Sequence, residues 1–120
     1  MTFKYIVGAQ ADKYSFIQIP KILMTDEIFS GMQNWAKITY GFLLDRMQLS
    51  IKNNWIDDKG LVYVIYPLEE IRKDMGVSKK QVMEYLSELE KAGLLVRRSQ
   101  GPGMPEIMYL KQIQREKEEN

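Results

Sequence analysis

The chain has 120 residues, 45% of them hydrophobic, with no histidine, no cysteine and a net charge of +1. That length suits one domain with a packed core, and the two missing residue types exclude zinc fingers, disulfides and Ser-His-Asp or Cys-His nucleophile systems. No apolar run approaches the roughly 20 residues of a membrane span, and the N-terminus lacks signal-peptide character, so a soluble, cytoplasmic, non-enzymatic protein with no cofactor and no membrane contact is expected.

In chain order, Phe3 to Val7 and Tyr14 to Ile19 are β-prone runs around a loop from Gly8 to Lys13, which predicts an N-terminal hairpin. Pro20 ends the second run, and a short helix is expected from Ile22 to Phe29, broken by Gly31. Asn34 to Ile51 is the strongest helical segment. Ala36, Tyr40, Leu43, Met47 and Ile51 line one face at spacings of three and four, Trp35, Ile38, Phe42 and Leu49 make a second, and Lys37, Gly41, Asp45 and Gln48 form a polar stripe. A helix apolar on two faces is covered on both, either by the chain's own hairpin or by another subunit.

Asp57-Asp58-Lys59-Gly60 reads as a turn rather than a metal site, and Leu61 to Tyr66 as a strand. Pro67 suits a helix start, Leu68, Ile71 and Met75 give a short amphipathic helix, and Gly76 closes it. Ser78 restarts a helix as N-cap with Gln81 three residues on, a capping box, and Val77 and Val82 occupy the staple positions. Val82, Leu86 and Leu89 form the buried stripe, and Gly93 ends the helix. Leu94 to Ser99 and Ile107 to Leu110 are strands around a Gly/Pro-rich loop. The expected fold is α+β: a winged helix-turn-helix over residues 25–110, an N-terminal β-hairpin extension over 1–24, and a charged tail or linker over 111–120.

A helix-turn-helix places the first turns of its second helix in the major groove of DNA. The candidate readers are Ser78, Lys79, Lys80, Gln81 and Glu84: Lys donates to guanine, Gln pairs with adenine, and Glu accepts from cytosine. Lys79 and Lys80 sit unfavourably at the positive end of a helix dipole, which an anionic partner would explain. Arg97 and Arg98 face opposite ways on an extended strand, so at most one points to DNA and the other pairs with a carboxylate or faces solvent. Gln100, Gly101 and Gly103 belong to the wing, where glycine lets backbone approach phosphate. A near-neutral total requires the positive charge to be gathered on one face.

Phe16 to Lys21, residues 36–66 with Leu43-Leu44-Asp45-Arg46-Met47 and Trp55-Ile56-Asp57, Leu68 to Met75, and residues 93–110 resemble the N-terminal domain of plasmid replication initiators of the RepA N-terminal family, found in low-GC Gram-positive bacteria. The resemblance implies a winged helix bound to double-stranded DNA at repeats in a replication origin; separately, the two-faced long helix and the apolar Phe3, Tyr5, Val7, Tyr14, Phe16 and Ile17 predict a homodimer formed through the N-terminal segment. It also implies a C-terminal domain, absent here, that meets host replication proteins. The chain departs from the family at Gln33, where Ser or Thr usually caps the long helix, and at Pro67, usually Thr. In the wing, Gly103-Met104-Pro105-Glu106 replaces Gly-Lys-Pro-Asn, which weakens a phosphate-gripping wing. The alternatives are a winged-helix transcriptional regulator, or a winged helix used for protein–protein contact.

Overall fold

The most apolar long segment forms the longest helix. In the computed structural model, which describes residues 1–114, this helix, α2, spans Asn34–Lys52. It buries Ala36, Tyr40 and Leu43, but Ile51 is exposed and Ser50 takes the inward place, because the apolar stripe drifts around a helix of 3.6 residues per turn. The expected polar stripe is solvated only in its second half: Asp45 and Gln48 are exposed, while Lys37 and Gly41 are buried. Residues 17–19 cross the helix at Gly41, where a Cβ would stand 3.0 Å from Ile19 Cγ1 and 3.1 Å from the Gln18 carbonyl oxygen. Glycine here is what allows two backbones to approach.

The expected N-terminal hairpin does not form. Residues 1–20 contain no strand; a 3-10 turn over Gly8–Lys13 separates two extended stretches. Strand propensity measures fit to a half-buried pleated surface, and an isolated strand pair is marginal in water. The Trp35–Leu49 face is covered only at its middle, where Ile38 and Phe42 pack against the core, while Trp35 remains 43% exposed and Leu49 40%. The helix expected from Ile22 to Phe29 is split into α1 (Lys21–Thr25) and a 3-10 turn (Glu27–Phe29). Asp26 divides them: its backbone is extended, and its carboxylate accepts the Ile28 N–H at 3.1 Å.

After α2, the Asp57 carboxylate accepts the N–H groups of Lys59 and Leu61, both at 2.9 Å, so Asp57 shapes the expected turn. The β-rich run that follows makes only single bridges, Ile56 with Val62 and Val64 with Met108. Helix α3 (Leu68–Met75) then closes on Gly76 in the left-handed region at φ 70°. Arg46 ties α2 to this region, donating to the Ile65 carbonyl, pairing with Glu70 and lying 4.5 Å above the Tyr66 ring. Helix α4 (Lys79–Lys91) follows, then antiparallel β1 (Leu95–Arg98) and β2 (Ile107–Leu110), with Leu95 opposite Leu110 and Arg98 opposite Ile107. Leu23, Leu43, Val64, Ile71, Val82, Leu86, Leu89 and Met108 meet in one core joining all these elements. Residues 115–120, most of the expected charged tail, lie outside the described residues.

Candidate nucleic-acid interface

The start of α4 is held from both directions. The Ser78 hydroxyl accepts the Gln81 N–H at 3.1 Å, while Gln81 Oε1 accepts the Ser78 N–H at 2.9 Å, which completes the capping box. Val82 is buried and Val77 packs against the core, as a staple requires. Lys79, Lys80, Gln81 and Glu84 all lie on the exposed side of the helix. Neither lysine makes an ion pair among the described residues. Gln81 is more restricted than its sequence position suggests. Bidentate pairing with adenine needs both its oxygen and its amide nitrogen, and the oxygen is committed to the cap.

One flank of α4 carries contacts that the sequence pattern did not reveal. Glu88 Oε1 accepts the Gln33 backbone N–H at 2.7 Å, and the Gln33 amide donates to Glu88 Oε2 at 3.1 Å and to Glu84 Oε1 at 3.2 Å. Gln33 is the N-cap of α2 but supplies no side-chain cap of its own. A carboxylate from another helix takes over that task and places negative charge at the positive end of α2. Trp35 stacks on Tyr85 beside this clasp, with ring centroids 6.2 Å apart. The signal missed in the sequence is long range: nothing local links position 33 to positions 84 and 88.

The other flank faces the wing. Lys79, Glu69, Arg97, Pro105 and Glu106 line a cleft of about 290 Å³ between the helices and the wing root. Arg97 is held closed, with Nε 2.7 Å from Glu106 Oε1 and Nη1 3.3 Å from Glu90 Oε1. Burial works against its charge, but the Glu106 and Glu90 carboxylates outweigh that and raise it above the ordinary arginine value. Arg98 faces the other way. It is exposed, forms no ion pair among the described residues, and lies 5.6 Å above the Tyr109 ring. Glu106, just before β2, thus locks Arg97.

The wing loop is bonded to itself. The Gln100 amide donates to the Pro105 carbonyl at 2.6 Å, the Gly101 N–H donates to Ser99 Oγ at 3.2 Å, and Gly101 and Gly103 both have positive φ. These bonds shape a tight tip. They also leave fewer free donors for a phosphate than a glycine-rich sequence implies. At the base of the sheet, backbone N–H groups of Leu61 and Lys59 and the Tyr109 hydroxyl hold the Asp57 carboxyl below the usual range, although desolvation opposes them.

Known proteins share this arrangement over nearly the whole chain. A 41 kDa protein of Lactobacillus helveticus is 30% identical over 111 residues, which is 88% of this chain and 31% of that relative's length. A solved structure described as the N-terminal domain of a DNA-binding protein matches with a TM-score of 0.76 and 34% identity, over 92% of this chain and 85% of its own. One of a Rep–DNA complex matches at 0.78 and 35%, over 94% and 88%, and one of an MDR initiator at 0.75 and 33%, over 95% and 90%. Residues 15–120 match the family described as the N-terminus of replication initiator protein A, and with its winged-helix fold the chain belongs to that family.

Proposed function

We propose that this domain binds a specific duplex sequence in a replication origin, with the first turns of α4 in the major groove and the wing beside it. The observation that carries the reading is the exposed pair Lys79–Lys80, with no ion pair among the described residues, on a helix start made rigid by the Ser78–Gln81 box. Cations are unfavourable at a helix N-terminus, and a phosphate or a guanine edge reverses that sign. Similarity to a protein solved as a Rep–DNA complex supports DNA binding. Lys80→Ala lowers affinity for the origin duplex by about 1–3 kcal/mol, read by equilibrium titration. Unchanged affinity in a variant that melts like the parent overturns this docking.

The reading includes self-association. Phe3, Tyr5, Ile6, Val7, Tyr14 and Phe16 are all exposed, Tyr5 by 95%. Apolar surface on that scale is covered in a two-fold dimer, which presents two recognition helices to repeated half-sites. Light scattering on the intact chain and on one beginning at Ile19 tests this: a mass that is monomeric for both, with and without DNA, removes the dimer. The domain acts by binding rather than catalysis, in the cytoplasm. In a longer initiator that carries this domain, the part beyond it meets the host replication machinery.

A further inference from the structure

Around α4, the wing root lies on one flank and the N-terminus of α2 on the other, and Lys80 and Glu84 occupy the side between them. Glu84 stands one turn after Lys80, on the side directed away from Val82, Leu86 and Leu89. A free glutamate there samples many rotamers. This one does not stand free, because its Oε1 accepts the Gln33 amide at 3.2 Å. Its Oε2 makes no hydrogen bond among the described residues. Gln33 is itself fixed at both ends: its backbone N–H is bound by Glu88 Oε1 and its amide by Glu88 Oε2.

The chemistry of the clasp is selective. A neutral amide orients a carboxylate without cancelling its charge, so Glu84 keeps one acceptor oxygen and offers no donor. In the major groove a carboxylate accepts from the exocyclic amine of cytosine, and it is repelled by the two acceptors of guanine. We propose that Gln33 is a positioning residue for base selection, holding Glu84 so that the domain prefers cytosine at one position of its site. This inference rests on the reading that α4 enters the major groove.

The test is equilibrium binding of the protein to its selected duplex, with each position randomised in turn and bound fractions read by sequencing. Glu84→Ala removes a cytosine preference of about tenfold at one position. Gln33→Ala flattens the same position several-fold while other positions and the salt slope stay unchanged. Adding Gln33→Ala to Glu84→Ala produces no further change there, since Gln33 acts only through Glu84. Three outcomes overturn the proposal: every base preference surviving Glu84→Ala, Gln33→Ala weakening all sequences equally, or Gln33→Ala lowering the melting temperature with its base profile intact. If Lys80→Ala still erases a preference elsewhere, only this assignment has failed. If the unaltered protein selects no duplex at all, the DNA-recognition reading falls, and this one with it.

Discussion

The N-terminal arm and the helix-turn-helix are both rich in large apolar side chains, yet they meet opposite fates. In α3 and α4 the apolar residues recur at helical spacing, and Ile71, Val82, Leu86 and Leu89 are fully buried. In residues 1–16 they alternate as in a strand, and Phe3 and Tyr5 remain 89% and 95% exposed. A helix satisfies its own backbone and needs only one face covered. A strand needs a partner for its backbone as well, and the arm pairs with no strand among the described residues. Order follows from what a segment can satisfy at hand rather than from hydrophobicity alone.

That contrast can be broken at its ends. Leu86→Ala, in the centre of the core, lowers unfolding free energy by about 2–5 kcal/mol, measured by denaturant titration. Tyr5→Ser shifts it by less than about 0.5 kcal/mol. Comparable losses from both substitutions would show that the arm is packed in solution and that the two regions do not differ as described.

The arginine pair sharpens the comparison within one strand. Arg97→Ala removes the partner of two carboxylates and costs about 1–2 kcal/mol of stability, seen as a lower denaturation midpoint. Arg98→Ala leaves that midpoint in place and instead flattens the salt dependence of DNA binding by about one unit. Equal effects of the two on stability would contradict the closed and open settings.

The clasp at the head of α2 gives a smaller effect. Glu88→Ala removes an acceptor from a helix start and costs about 1 kcal/mol, again by denaturation. The smallest effect is an acid one. The folded Asp57 carboxyl titrates below its unfolded value, so its contribution is complete above the ordinary carboxylate range and disappears as pH falls through the folded value. Asp57→Asn flattens the acid limb of a melting-temperature profile slightly; an unchanged limb removes Asp57 from the balance.

The sequence made legible whatever is carried by local rules. The Ser78–Gln81 box, the Gly76 closure, the bounds of α3 and of β2, and the turn at Asp57 all depend on residues within four positions of one another. The split between Arg97 and Arg98 was likewise implied by strand alternation, though not which of the two would close. What could not be read depends on distant partners. Glu106 and Glu90 decide the arginine, residues 17–19 bury Gly41, and Gln33 reaches 51 and 55 positions along the chain to Glu84 and Glu88. The hairpin failed for the same reason, since β-propensity names a willing strand without naming its mate.

The capping box also bears on how such a domain changes its target over evolutionary time. Ser78 and Gln81 hold the helix start by bonding to each other, so replacing either one alters the reading surface and loosens the scaffold together. Lys79 and Lys80 carry no such duty and can be exchanged one at a time without disturbing the helix. New specificities arise most readily at positions 79 and 80, and a lineage of diverging replicons is expected to vary there while keeping the pair around them.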